Sequence, residues 1–180
     1  MSVVAIDEAS GKLAGALCAK DSDPEGVGCG SICSIMCMLC KLYRRNKKLM
    51  STTIAFTNEM MEPMEKSIEE IMKKNNIPKR GVAVEMISIA TSKDFGRRGI
   101  GATMTNLVKE IAIKRGYHLA YAFCSSAFST KALTKNGGKI EKTMMYKDYI
   151  KDGKCPFEGK IEEPHVAYNL VVFRFKEEAA

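Results

Sequence analysis

Residues 84–116 read VEMISIATSKDFGRRGIGATMTNLVKEIAIKRG, and the fold turns on how this stretch is read. Val82 to Ala90 is a nearly continuous apolar run, the pattern of a buried strand. A glycine-containing loop follows, from Thr91 to Gly99. Over Ile100 to Arg115, the residues Met104, Leu107, Val108 and Ile111 predict one apolar face of an amphipathic helix. Gly116 is placed to cap it. Glycines at 96, 99 and 101 allow the backbone to come close to a ligand. The free N–H groups and positive dipole end of the helix favour an anion there. Arg97 and Arg98 add charge that does not titrate away. The loop reads either as a pyrophosphate cradle or as a tight strand–helix connection. It is not a P-loop, because no Gly-Lys-Ser/Thr follows, and a dinucleotide fold would carry its glycines after the first strand.

Outward from this segment, Ser2–Ile6 and Leu13–Ala19 predict a hairpin about the turn residues Asp7–Gly11. Asp21–Gly30 is a polar loop. Ser31–Leu42 is apolar and carries Cys33, Cys37 and Cys40 at helical spacing, and Met50–Lys74 predicts a helix interrupted near Pro63. Downstream, His118–Cys124 predicts a strand, and Ser129–Lys135 a short helix ending at Asn136-Gly137-Gly138. Lys139–Tyr149 and Val166–Phe175 predict two last strands. Strands interleaved with helices make a mixed α/β protein.

The chain has 180 residues, 46% of them apolar and 27% charged, which suits a single domain over residues 1–180 with a real core. A formal charge of +7 suits an anionic partner. No uncharged apolar window of about 18 residues exists, so no membrane span is expected. Met1–Ile6 is too short for a secretory signal. The seven cysteines are then expected as reduced thiols, which points to the cytoplasm. Cys29, Cys33, Cys37 and Cys40 lack the paired C-x-x-C units of a zinc site, so no metal is expected. Arg44, Arg45, Lys47 and Lys48 have no interleaved aromatics, so no nucleic-acid partner is expected.

Gly96-Arg97-Arg98-Gly99-Ile100-Gly101 resembles the Gln/Arg-x-x-Gly-x-Gly/Ala acetyl-coenzyme A motif of the GNAT N-acetyltransferase superfamily, with Gly96 in its first position. Within it, residues 80–180 look most like the insect and nematode arylalkylamine N-acetyltransferases. Three pieces carry that likeness: Cys124-Ser125-Ser126-Ala127-Phe128-Ser129, Tyr146-Lys147-Asp148-Tyr149 and Glu163-Pro164-His165. The resemblance implies a mixed, mostly antiparallel sheet, splayed in the middle, with helices on both faces. It also implies that the family's first strand and helix are absent ahead of Ser2. Ile89, Ala90 and Thr91 would offer backbone groups to pantetheine, and Gly96, Arg97, Arg98, Gly99, Ile100 and Gly101 would hold the pyrophosphate. The implied activity is acetyl transfer from acetyl-CoA to a small primary amine, an arylalkylamine first, within a ternary complex. A polyamine or lysine acceptor is an alternative, as is a coenzyme-binding protein with little turnover.

Such a reaction needs a neutral amine, and an alkylamine with a pKa near 10 is only about 0.1% neutral at pH 7. A base must therefore take a proton. Glu85 stands in the central strand eleven residues before Gly96, the spacing of the base in histone-type relatives. Burial in an apolar strand is expected to raise its pKa. The plainer reading of Glu85 is a side chain paired with a neighbouring Lys or Arg, or pointing to solvent. Ser125 and Ser129 match the relatives' paired serines, four apart, whose hydroxyls can pass a proton or donate to a leaving sulfur. His165 matches a Pro-His near the relatives' amine pocket and reads as a substrate-side or proton-relay residue, or as a loop histidine bonded to backbone. Met61-Glu62-Pro63-Met64 resembles the relatives' acidic motif but stands after the hairpin, and is read as chance.

Overall fold

A computed structural model of the chain describes residues 1–22, 60, 63–74, 77 and 82–175. The chain divides into two compact units: Met1–Ser22 with Gly81–Ala180, and Asp23–Arg80. In the second unit, residues 63–74 form helix α1, with Met64, Ile68 and Met72 buried at four-residue intervals. The cysteine-bearing stretch Ser31–Leu42 and the basic run that follows lie outside the described residues.

The first unit holds strands β1 (Ser2–Ile6), β2 (Leu13–Asp21), β3 (Ala83–Thr91), β4 (Leu119–Cys124), β5 (Lys139–Met145) and β6 (Ala167–Arg174). It also holds helices α2 (Ile100–Lys114) and α3 (Ala127–Thr134). The strands form one sheet in the order β1-β2-β3-β4-β6-β5. Every pair is antiparallel except β3 with β4. That parallel pair is short: it registers Ala83 with Leu119, Val84 with Ala120 and Glu85 with Tyr121, and then stops. Beyond Glu85, β3 continues along β2 while β4 continues along β6. The sheet is therefore splayed at its centre. The register between β2 and β3 slips at Cys18/Ala19, so that Ser88 and Met86 are paired while Ile87 is skipped. A bulge of this kind bends and twists its strand, and it sits where β3 leaves β4.

Alternate residues of β2, β3, β4 and β6, among them Leu17, Val84, Ala122 and Val171, point to one face of the sheet. There they meet Met104, Val108 and Ala112 of α2 and Leu133 of α3 in a single cluster. Each large apolar side chain so buried stabilises the fold by about 1.5–3 kcal/mol. Leu107, expected on this face, is 42% exposed. The buried row steps by four (104, 108, 112), and Leu107 falls beside it. Gly15 of β2 has no room for a side chain: a Cβ there would stand 2.9 Å from Ala90 O and 3.0 Å from Met104 Cε.

Two of the element ends that differ from the sequence reading bear on the site. The short helix begins at Ala127, because the Ser126 hydroxyl accepts the Ser129 N–H and caps it. β5 ends at Met145, and Tyr146–Asp148 forms a turn of 3₁₀ helix that buries Tyr146.

The two helices are clamped at the far end of α3. Asn136 Nδ2 donates to Ala132 O and Ala102 O, both at 2.9 Å, and Lys109 Nζ donates to Asn136 O at 3.1 Å. Asn136→Ala leaves two part-buried carbonyls without that donor. It is expected to destabilise the protein by about 1–3 kcal/mol, read as a lower denaturant midpoint at constant m.

Candidate active site

The opening between β3 and β4 exposes main chain. Ser92 N–H donates to Ala14 O at 2.9 Å, which fixes the phase of the β2–β3 ladder. Bonded pairs alternate along an antiparallel ladder, so Ala90 with Ala16 and Ser88 with Cys18 are the bonded ones. The N–H and C=O groups of Ile89 and Thr91 then point away from β2, toward the side that β4 has vacated. Ala90, grouped with them in the sequence reading, has its main chain taken up by β2.

The loop from β3 to α2 completes this edge. After a single 3₁₀ turn at Lys93–Phe95, the chain passes through left-handed conformations at Arg97 (φ 63°) and Gly99 (φ 77°). Gly99 adopts that conformation without strain, whereas an arginine there costs on the order of 1 kcal/mol. The result is a sharp entry into α2 with no side chain capping it. The amide N–H groups from Arg97 through Ala102 find no acceptor among the described residues. They form an uncapped, electropositive helix start suited to an oxyanion. Arg98 lies over the Phe95 ring at 5.3 Å, which fixes its stem beside the loop. The cradle adjoins the strand opening: a Cβ on Gly101 would lie 3.4 Å from Ile89 Cδ1.

Between the separated strands lies a cavity of about 220 Å³. Met86 and Ile89 line it from β3, Cys124 and Ser125 from the end of β4, and Ser126 and Ser129 from the start of α3. The two sequence-chosen serines thus stand in one wall, in different states. The Ser125 side chain is exposed. Ser129 Oγ donates to Ser126 O at 2.9 Å and lies 3.0 Å from Ser126 Oγ. A proton passed through Ser129 must break the bond to Ser126 O. Ser126 itself, which closes the helix end, had a legible signal in the N-cap preference for serine.

His165 reaches this corner from the loop before β6. Its Nδ1 accepts the Ala127 N–H at 3.3 Å, which places the proton of the neutral ring on Nε2. The ring meets Phe128 edge-on at 4.8 Å. His165 is therefore backbone-bonded, as the plainer reading had it, and offers Nε2–H as a donor. Glu85 stands at the last rung of the β3–β4 pair, one residue before Met86. Glu85 Oε2 lies 3.1 Å from Lys20 Nζ, its cross-strand partner, with side-chain exposures of 13% and 42% respectively, which is the ion pair of the plainer reading.

Burial pushes the Cys124 thiol up to about 11, although hydrogen bonds with Ser129 and Thr130 act to lower it. Burial likewise pushes the Tyr146 phenol up to about 12, with the neighbouring Cys124 charge adding to the rise. Both groups hold their protons more tightly folded than unfolded. Their contribution to stability is thus whole below the unfolded values, 9.0 and 10.0, and is lost as pH climbs through about 11 and 12. Denaturant midpoints are expected to fall across that alkaline window. In a Tyr146→Phe variant the upper part of the fall should be smaller.

Among the described residues no group of three His, Cys, Asp or Glu side chains is placed to hold a metal ion. No helix there is long and apolar enough to cross a membrane.

No family model matches the chain, and no curated protein matches it in sequence. Solved structures do resemble it in fold. Arylalkylamine N-acetyltransferase 2 from Aedes aegypti superposes with a TM-score of 0.69 at 15% identity, over 97% of this chain and 73% of that one. An agmatine N-acetyltransferase variant gives 0.64 at 17% identity, over 96% and 75%. The polyamine N-acetyltransferase of Drosophila melanogaster gives 0.56 at 16%, over 96% and 74%. The chain has the GNAT fold of these proteins.

Proposed function

We propose that this chain is an acetyl-CoA-dependent N-acetyltransferase acting on a small primary amine, an arylalkylamine first. The observation that carries the reading is the run of amides from Arg97 through Ala102 that have no acceptor among the described residues, set beside the open edge of β3. A phosphate-bearing carrier with an amide-rich arm matches both: diphosphate on the helix start, amides along Ile89 and Thr91. Bound acetyl-CoA supplies an acyl group activated as a thioester. The chain's part is to hold it, strip a proton from the amine and support the leaving sulfur. Glu85 is the proposed base, the exposed Ser125 hydroxyl the proposed donor at the sulfur, and His165, held by the Ala127 N–H on its Nδ1, the proposed proton relay. Transfer is direct, because a thiol held at about 11 supplies almost no thiolate at neutral pH for an acyl-cysteine route. The choice of amine draws on the order of the Cys124–Ser129, Tyr146–Tyr149 and Glu163–His165 segments. It also draws on the arylalkylamine and polyamine names of the proteins that share the fold.

Thermal unfolding with added acetyl-CoA, followed by thiol release with tryptamine, agmatine and a lysine peptide, tests the proposal. Stabilisation that grows with the logarithm of coenzyme concentration is expected, with thiol release fastest for tryptamine. Stabilisation without release for any amine would make the chain a coenzyme carrier. No stabilisation at all would overturn the reading.

A further inference from the structure

We infer that Tyr146 is a positioning residue for this site, acting through the main chain of Ser125. The inference rests on the acetyl-transfer reading. Tyr146 is 4% exposed, and its hydroxyl donates to Ser125 O at 2.8 Å, 21 residues away in sequence. Ser125 is the first residue past β4 and lines the cavity. Tyr146 is itself held on several sides. Its N–H donates to Val166 O at 3.0 Å, its carbonyl accepts the Cys155 thiol at 3.4 Å, and its ring meets Phe157 at 5.0 Å. One hydrogen bond thus ties a well-anchored connection between β5 and β6 to the corner where β4 turns into α3.

The other bonds at that corner leave Ser125 alone. The Ser126 hydroxyl fixes the Ser129 amide, and His165 fixes the Ala127 amide. Among the described contacts only the phenol bonds the Ser125 carbonyl, and it thereby fixes the peptide plane from which the Ser125 side chain departs. The phenol is not itself a proton donor to the reaction, because its hydrogen is committed to Ser125 O. Its work is orientation, and misplacing a reacting group by about 1 Å can cost on the order of 100-fold in rate.

Tyr146→Phe in the full chain keeps the ring packing and removes the bond. Coenzyme A affinity by calorimetry is expected to stay within about twofold, and kcat for the best amine to fall roughly 10- to 100-fold with little change in amine KM. A packing role alone would lower Tm while leaving kcat per folded molecule intact, and that result overturns the inference. A second readout does not depend on turnover: hydrogen exchange at the Ala127 and Ser129 amides with coenzyme A bound. Faster exchange confined to this corner in the variant supports the positioning role, and unchanged exchange overturns it. Failure of the parent protein to release thiol with any amine would instead count against the acetyl-transfer reading.

Discussion

Gly101→Asp is expected to weaken coenzyme A binding on the order of 100-fold while leaving Tm unchanged or slightly higher. The two effects share one cause. The α2 start offers a run of amides with no acceptor among the described residues, so a carboxylate introduced at its second residue supplies one in place. An acidic side chain there stabilises a helix by about 0.3–1 kcal/mol. The site also has room: the nearest atoms to a Cβ on Gly101 are Ile89 Cδ1 at 3.4 Å and Ala132 Cβ at 3.8 Å. The same carboxylate then competes with a diphosphate for the same N–H groups and repels it. Two unit charges about 4 Å apart interact by roughly 4 kcal/mol at an effective dielectric near 20, and salt reduces this. Calorimetric titration with coenzyme A at two salt concentrations reads the loss, and Gly101→Ala, which adds bulk without charge, is expected to cost only a few-fold. Coenzyme binding by Gly101→Asp as tight as the parent's would show that the diphosphate lies elsewhere.

The strand–loop–helix was legible because its signals are local. Helical spacing, a preceding apolar run and closely set glycines mark a strand–loop–helix from sequence alone, and the structure places α2 from Ile100 as expected. The splay between β3 and β4 was legible only through a resemblance, because it depends on a bulge at Ile87 and on which strand each edge follows. Neither leaves a mark in composition. Glu85 shows the same limit from another side. The apolar run around it allowed an ion pair with a Lys or Arg but did not say which, and the partner is Lys20, sixty-five positions away. A strand's period of two tells which face a residue takes, not who stands opposite. Tyr146 was visible only as part of a motif. Its bond to Ser125 joins two elements far apart in the chain, and the run from Lys139 to Tyr149 read as unbroken strand until that bond gave it a reason to turn.

Glu85→Gln is expected to lower turnover roughly 10²- to 10⁴-fold with coenzyme affinity unchanged, the range that a positioned base contributes. The argument is one of place. Glu85 is the last residue of β3 still registered with β4, and the next residue, Met86, lines the cavity. The proposed path of the amine to the thioester passes this rung, where β3 leaves β4. Lys20 holds the carboxylate in place through their 3.1 Å ion pair. A glutamine keeps the shape and can still accept from Lys20, so the substitution removes basicity alone. A partly exposed pair of this kind contributes about 0–1 kcal/mol, so Tm should scarcely move. The kcat/KM of the variant should lie below the parent's at every pH tested. Equal turnover and an identical pH profile in the two proteins would remove Glu85 from the reaction. The amine's proton would then leave by another route past the Ser125 and His165 corner, which Ser125→Ala and His165→Gln would next locate.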